Sequence, residues 1–215
     1  MDEFQDILLT TLTYGGDALG RLPDGQAVFV PFGLPGERVR VRLLNPNGRP
    51  LRAALVEVLE PSLDRVEPRC IHFGACGGCH YQHMSHAAQQ SARREILRDQ
   101  FRRIGRIESP PVQETVASPE PWNYRNHIQF HLAVDGHLGY VPHPAGPAAD
   151  VAVLPITECH LPETPLNELW PQLEFEPGTG IQRVSLRAGE ESMMIMESDA
   201  HEPPEMELEA GISVV

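Results

Sequence analysis

The chain has 215 residues, of which 41% are hydrophobic, an ordinary composition for one large or two small globular domains. No apolar run approaches the roughly 18 residues that a membrane helix requires, and no basic and apolar leader opens the chain, so we predict a soluble, cytoplasmic protein. All basic residues are arginine and the net charge is -13, but residues 1–106 carry 14 Arg against 12 acids, whereas residues 107–215 carry 3 Arg against 18. A polyanionic partner is therefore expected to meet the first half of the chain.

Residues 1–62 show the pattern of a small all-β unit. Short runs rich in β-branched residues alternate with turn signals made of Gly, Pro, Asn and Asp. In the run ERVRVRLL, apolar residues alternate with arginines, so one face of the strand is apolar and the other carries three guanidinium groups. These arginines are Arg38, Arg40 and Arg42. A basic face on a small barrel is a candidate RNA-binding surface, with an ordinary solvated strand face as the alternative.

Residues 63–106 hold a cysteine-rich loop and a helix. The segment SHAAQQSARREILRDQFRRIG predicts a helix that Ser85 opens and Gly105 closes. Apolar residues at helical spacing predict its buried stripe, which is Ala92, Ile96, Leu97, Phe101 and Ile104. On another face, arginines recur every four residues among acids, which favours a salt-bridged surface.

Residues 107–215 are predicted to form a second, α+β unit. The run WNYRNHIQFHLAVDGHLGYVPH predicts a β-hairpin with Asp135-Gly136 at its turn, and IQRVSLR and SMMIMES predict another strand pair. An acidic tail then ends on ISVV, an apolar run that resembles a strand. Because the chain ends there without a polar cap, we expect this unit to be truncated at its C-terminus.

The four cysteines are the strongest signal of chemistry in the chain. Cys70, Cys76 and Cys79 follow the spacing C-x5-C-x2-C, and Cys159 comes 79 residues later. Thiolates select iron-sulfur clusters, zinc or Cu(I), and four of them complete a tetrahedral shell. Three grouped ligands and one remote ligand are more typical of an iron-sulfur cluster than of a zinc finger.

Other uses of these thiols remain as alternatives. Two disulfides are disfavoured in a chain without a secretory leader, and a redox dithiol is disfavoured because no βαβ pattern surrounds the CxxC pair. A zinc site made of four thiolates, or of three thiolates and one imidazole, stays open because histidines flank the cysteines. Those histidines are His72, His80, His83 and His160.

The remote cysteine has an energetic consequence. Closing a loop of about 80 residues costs on the order of 2 to 3 kcal/mol more than closing one of about five. A metal centre that recruits Cys159 is therefore expected to pin the second unit onto the cysteine loop. Loss of the metal is expected to loosen the whole second half of the chain.

The motifs together resemble a known family. The runs CIHFGACGGCHYQH, YRNHIQF and ITECHLP, with the arginine-rich helix ending RRIG between the first two, resemble the iron-sulfur-containing RNA (uracil-5-)-methyltransferases, and YGGDALGR and VFVPFGLPGERV resemble their N-terminal TRAM domain. The resemblance implies an OB-like RNA-binding TRAM barrel, followed by an α+β central domain that holds a 4Fe-4S cluster on Cys70, Cys76, Cys79 and Cys159. It also implies RNA contacts from Tyr124, Arg125 and Asn126, and ribosomal RNA as the partner.

One departure from the family leads to a further expectation. Family members carry a C-terminal Rossmann-like domain with a cysteine nucleophile and an S-adenosyl-L-methionine site. No cysteine follows Cys159, and no glycine-rich loop of the GxGxxG type follows a strand. We therefore expect no catalytic residue in this chain and no catalytic Rossmann-like domain, so that the chain is inactive alone. S-adenosyl-L-methionine would enter only through a separate or downstream methyltransferase domain. The alternative is a non-catalytic RNA-binding protein with a structural four-cysteine metal site.

Overall fold

The computed structural model describes residues 4–44, 48–199 and 212–214. Most of the run NPNG at residues 45–48, one of the turn signals of the first predicted unit, and most of the acidic tail lie outside these residues. The chain divides into two compact units: the first unit contains residues 1–68 and 80–118, and the second contains residues 69–79 and 119–215. The sequence had grouped the cysteine loop and the helix together as residues 63–106, whereas contacts place the loop in the second unit and the helix in the first. No helix in the described ranges is long and apolar enough to cross a membrane.

The first unit is built on a closed five-stranded barrel in the order β1-β2-β3-β5-β4. Its strands are β1 (Phe4–Leu12), β2 (Ala18–Arg21), β3 (Ala27–Val30), β4 (Arg38–Leu43) and β5 (Leu51–Glu60). The second strand was not predicted, because its residues lie in a glycine-rich stretch that reads locally as a turn. The alternation in β4 was predicted correctly, since Val39 and Val41 are fully buried while the arginines point away from the core.

A buried ion pair joins the barrel to the segment that leads into the cysteine loop. Glu37 has no exposed surface, and its carboxylate accepts hydrogen bonds from Nε and Nη2 of Arg65 at 2.5 and 2.7 Å. The backbone N–H groups of Leu34 and Ser62 also donate to this carboxylate. Burial alone would raise the pKa of Glu37, but these hydrogen bonds outweigh it and hold the pKa below its usual value.

Helix α1 (His86–Arg103) follows in the first unit, and Ser85 caps it by accepting a hydrogen bond from the Ala88 N–H. The predicted buried stripe is only partly correct. Ala92 and Ile96 pack against the barrel core, but Leu97, Phe101 and Ile104 are exposed. Ion pairs along the helix, such as Arg98 with Glu95 and Arg103 with Asp99, agree with the predicted salt-bridged surface.

The second unit is built on one mixed sheet of six strands in the order β11-β10-β9-β6-β7-β8. The strands are β6 (His127–Leu132), β7 (Leu138–Tyr140), β8 (Leu154–Pro155), β9 (Ile181–Arg187), β10 (Ser192–Ser198) and β11 (Ile212–Val214). Helix α2 (Thr164–Leu169) and a 3₁₀ turn (Trp170–Gln172) pack on one face, where the rings of Phe130 and Trp170 lie 5.3 Å apart. The two predicted strand pairs are present as β6-β7 and β9-β10.

The structure adds how the two predicted strand pairs are connected. Strand β6 pairs with β9, which joins both hairpins into a single sheet, and β11 runs parallel to β10. Local turn signals predict a hairpin, whereas the pairing of distant strands depends on the packing of the whole unit.

Candidate metal centre and nucleic-acid interface

The cysteine loop, residues 69–79, is folded tightly by its own backbone. The N–H of Phe73 donates to the Cys70 carbonyl over 3.1 Å, and the N–H of Cys76 donates to the His72 carbonyl over 2.8 Å. Gly74 sits between these turns with a φ of 87°, a conformation that favours glycine. The loop therefore turns back on itself between its first and second cysteines.

Residues 141–143, which follow β7, hold one side of this loop. The N–H of Gly77 donates to the Val141 carbonyl over 3.1 Å, and the N–H of His143 donates to the Ala75 carbonyl over 2.8 Å. A Cβ at Gly77 would lie 2.6 Å from the Val141 oxygen, so this close approach requires glycine. The loop can therefore lie tightly against residues 141–143.

The segment around Cys159 holds the other side of the loop. The N–H of Ile71 donates to the Glu158 carboxylate over 2.7 Å, and the N–H of Thr157 donates to Nε2 of His72 over 3.0 Å. Cys159 itself packs against the apolar core of the second unit. Two segments distant in sequence thus position the loop beside the fourth cysteine.

All four thiols lie in the second unit, are partly buried and form no disulfide. Burial raises the pKa of Cys70 to about 11, and burial also raises the pKa of Cys76 and Cys159. A thiolate at Cys79 would raise the pKa of all three further, so the thiols are close enough to interact electrostatically. Yet no three His, Cys, Asp or Glu side chains in the described part of the chain gather closely enough to hold a single metal ion.

Several side chains around the thiols were not found from the sequence. The Tyr140 hydroxyl donates a hydrogen bond to the Cys159 sulfur, and Cys70 is hydrogen-bonded to Glu158. Both interactions join residues far apart in sequence, and no sequence motif indicates them. The guanidinium of Arg69 lies over the Trp122 ring, 5.5 Å from its centroid, which places a further cation beside the first cysteine.

The predicted RNA-contacting run Tyr124, Arg125 and Asn126 lies directly beside the Cys159 segment. The N–H of Arg125 donates to the Leu161 carbonyl over 2.9 Å, and the Arg125 carbonyl accepts from the N–H of Glu163 over 2.8 Å. The side chains of all three residues are exposed, Tyr124 by 48%. The structure therefore brings these residues together with the cysteine centre.

The three arginines of β4 differ in their surroundings. Arg40 is bound by the Asp6 carboxylate through Nε and Nη2 at 2.8 and 3.0 Å and also approaches Glu57, while Arg38 lies 3.7 Å from Glu60. Arg42 is exposed, and no carboxylate within the described residues lies in ion-pair distance of it. Because Arg38 and Arg40 already lie beside carboxylates, Arg42 is the most available of the three arginines for an anionic ligand.

The four histidines named for a zinc site are divided between the two units. His72 and His160 belong to the second unit, where His160 contacts Glu158 and the Trp122 ring. His80 and His83 belong to the first unit: Nδ1 of His80 lies 2.9 Å from the Gly15 carbonyl, and His83 is buried near Gly33.

Comparison with known proteins defines the first part of the chain. Residues 3–56 match the TRAM domain family. The match covers strands β1 to β4 and more than half of β5, so the closed barrel is a TRAM domain.

Relatives extend the comparison to the rest of the chain. A protein of Synechocystis sp. named uncharacterized RNA methyltransferase is 29% identical over 222 residues, which cover 96% of this chain and 48% of the relative. One of the same name in Nitratidesulfovibrio vulgaris is 38% identical and covers 62% of this chain and 29% of the relative. In Dechloromonas aromatica, 23S rRNA (uracil(1939)-C(5))-methyltransferase RlmD is 42% identical over 111 residues, covering 50% of this chain and 24% of the relative. The chain is thus related to proteins named RNA methyltransferases and spans about half their length or less.

A solved structure shows a similar fold. The tRNA (uracil-54, C5)-methyltransferase of Pyrococcus abyssi, in complex with S-adenosyl-L-homocysteine, aligns with a TM-score of 0.58 at 23% identity and covers 92% of this chain and 47% of that chain.

These matches overturn the fold class predicted from the sequence. We expected a barrel and a cluster-binding α+β domain, with the catalytic Rossmann-like domain absent. Instead, nearly all of the chain aligns with these proteins, over 96% of its length with the Synechocystis relative and over 92% with the Pyrococcus abyssi structure, and the shared fold begins with a five-stranded barrel. The prediction was wrong because it judged the fold by two local motifs, a glycine-rich loop and a further cysteine, whereas a fold is defined by long-range packing.

Proposed function

We propose that this chain is the RNA-binding, iron-sulfur-cluster-bearing part of an RNA uracil-C5 methyltransferase that acts on ribosomal RNA in the cytoplasm. The observation that carries the proposal is the placement of all four cysteines in one unit, beside Arg125 and an exposed Tyr124. The relative named as a 23S rRNA (uracil(1939)-C(5))-methyltransferase supports ribosomal RNA as the substrate.

The donor set fits a four-iron cluster. Four thiols that lie in one unit and interact electrostatically suit a cluster in which each thiolate binds a different iron. A single zinc bound by the same four thiolates, at about 2.3 Å from each sulfur, is the alternative that metal analysis distinguishes. Because burial raises the pKa of Cys70, Cys76 and Cys159, a cationic centre would be needed to keep these three as thiolates near neutral pH.

The proposed role of the cluster is structural. Cys70, Cys76, Cys79 and Cys159 would hold it, and the cluster would fix the loop against the segment that carries Tyr124, Arg125 and Asn126. Transfer of a methyl group to uracil C5 needs no electron transfer. S-adenosyl-L-methionine would supply that methyl group, and the structural neighbour bound to S-adenosyl-L-homocysteine supports its use.

RNA would meet the chain at two places. The TRAM barrel would contribute the arginines of β4, of which Arg42 is the most available. The second unit would contribute Tyr124 for base stacking and Arg125 for a phosphate. Arg42→Gln should therefore weaken RNA binding more than Arg40→Gln, because Asp6 already neutralises Arg40.

Metal analysis tests the proposal. Iron, acid-labile sulfide and zinc would be measured after anaerobic purification of the wild type, of Cys159→Ser and of His160→Gln as a matched control on the neighbouring residue. About four irons and four sulfides per chain, lost in Cys159→Ser and kept in His160→Gln, are expected. One zinc and no sulfide would overturn the cluster.

A second assay separates the methyltransferase from a non-catalytic RNA-binding protein. Transfer of a labelled methyl group from S-adenosyl-L-methionine to ribosomal RNA would be measured for the full gene product. Methylation at uracil C5 is expected. An intact metal centre and RNA binding without any transfer would instead identify an RNA-binding protein whose four-cysteine site is structural.

A further inference from the structure

The sheet of the second unit has one covered face and one open face. Alternate residues of β6 and β9 point to the covered face, where Ile128, Phe130, Val184 and Leu186 are buried. Helix α2 and the 3₁₀ turn pack there, as the contact between Phe130 and Trp170 shows. The intervening residues of the same strands therefore lie on the opposite face, which we call the outer face. No described helix of the second unit packs on the outer face.

Strand register arranges the outer face in three rows. His127, Arg187 and Met193 form the first row; Gln129, Ser185 and Ile195 form the second; His131, Arg183 and Glu197 form the third. In the second row, Nε2 of Gln129 donates to the Ser185 hydroxyl over 3.1 Å. The first row is the most exposed, since all three of its side chains reach solvent.

The charge of the outer face is opposite to that of the surrounding sequence. Residues 107–215 carry only 3 Arg against 18 acids, yet two of those arginines lie on this face. Strands β6, β9 and β10 contribute a single acid to it, Glu197, which lies 3.4 Å from Arg183. Arg187 has no carboxylate in ion-pair distance among the described residues. Positive charge is therefore concentrated where the sheet is open.

The outer face continues into the predicted RNA-contacting run. Asn126 directly precedes His127, and its carbonyl accepts a hydrogen bond from the N–H of Ala188, the residue after Arg187, over 2.8 Å. The exposed ring of Tyr124 lies two residues before Asn126 in the chain. A nucleic-acid strand that contacts Asn126 thus has the first row immediately beside it.

We propose that the outer face of this sheet is a platform for single-stranded RNA, with Arg187 binding a phosphate and His127 and Met193 contacting bases. This proposal rests on RNA being the partner of the chain. The chemistry fits: an arginine fork matches phosphate, imidazole and amide groups bond base edges, and apolar side chains cover the flat faces of unstacked bases. A duplex is a poorer match, because a flat sheet face does not follow its grooves.

Binding of a fluorescent single-stranded RNA oligonucleotide at several salt concentrations tests the platform. Arg187→Gln should weaken binding about five- to tenfold and reduce the salt slope by about 0.7, the value for one phosphate contact on a single strand. Glu197→Gln should strengthen binding, because it frees Arg183. Glu168→Gln is the matched control. It changes the net charge equally, but Glu168 is an exposed residue of α2, the helix that packs on the covered face.

The outcomes separate the platform from the proposed function. If the wild type binds RNA and Arg187→Gln binds it equally well with the same salt slope, the platform is overturned while RNA binding stands. Equal gains from Glu197→Gln and Glu168→Gln would reveal a general charge effect and would also overturn it. If the wild type binds no RNA, the proposed function fails together with the platform. Thermal unfolding of each variant would show that the sheet is intact.

Discussion

Gly77→Ala tests whether the docking of the cysteine loop on residues 141–143 brings the thiols together. A Cβ at this position would lie 2.6 Å from the Val141 oxygen and 3.3 Å from the Pro142 oxygen, and both are backbone atoms. The clash would also stretch the hydrogen bond that Gly77 donates over 3.1 Å. Overpacking costs about 1 to 3 kcal/mol and a lost hydrogen bond about 1 kcal/mol, so the docked loop should lose about 2 to 4 kcal/mol.

The assay is retention of iron in the presence of a chelator after anaerobic reconstitution. Because assembly of the proposed cluster would require the docked loop, the variant should lose its iron at a chelator activity roughly 30- to 700-fold lower than the wild type, at 1.4 kcal/mol per factor of ten. Gly78→Ala is the control, since its Cβ would meet only the Cys76 sulfur at 3.4 Å, an ordinary contact. Equal retention by Gly77→Ala and the wild type, or equal loss in both variants, would refute the reasoning.

Further predictions follow from the buried groups. Glu37→Gln should cost about 3 kcal/mol in denaturant unfolding, because it leaves the Arg65 charge without its carboxylate, whereas an exposed Glu57→Gln should cost less than about 1 kcal/mol. Tyr140→Phe should keep the iron but lower the reduction potential of the centre by some tens of millivolts, since a hydrogen bond worth about 1 kcal/mol to the Cys159 sulfur is lost; an unchanged potential would contradict this. Burial lowers the pKa of His83 to about 4, so protonation opposes folding and stability should fall as pH drops from 7 to 5. The expected loss is about 2 kcal/mol and should be absent in His83→Gln. Removal of metal by a chelator should abolish hydrogen-exchange protection at the Gly77 amide but preserve it in β6 and β9, and melting of those strands would contradict this.

Local signals in the sequence predicted local structure well. Ser85 was predicted to open the helix and does cap it, because capping depends only on residues within one turn. The exposure of Leu97 and Phe101 was not predicted, because periodicity identifies residues that share a helix face but not what covers that face. The strand in the glycine-rich stretch at Ala18 was not predicted, because only its pairing with β1 and β3 makes it a strand.

In the candidate site, too, local features could be predicted from the sequence, whereas contacts between distant segments could not. The cysteines could be singled out because four thiols at this spacing have few chemical uses. The outward direction of Arg40 followed from alternation, but its neutralisation by Asp6 depends on the register of β1 against β4, which the sequence does not reveal. The hydrogen bond from Tyr140 to Cys159 could not be predicted either, because only the pairing of β7 with β8 brings the two residues together.

The sheet changes the energetic argument made for the remote cysteine. From the sequence alone, the metal had to close a loop of about 80 residues to recruit Cys159. In the structure, β8 pairs with β7, and the N–H of Ile156 donates to the Leu138 carbonyl over 3.1 Å, so the sheet itself brings the Cys159 segment close to β7. The same β7 continues into Val141, which binds Gly77 of the cysteine loop. The sheet folds around its own buried apolar core, and most of the loop-closure entropy is therefore lost before any metal binds. It follows that loss of the metal should free the cysteine loop and leave the sheet folded, a narrower effect than the sequence alone predicted.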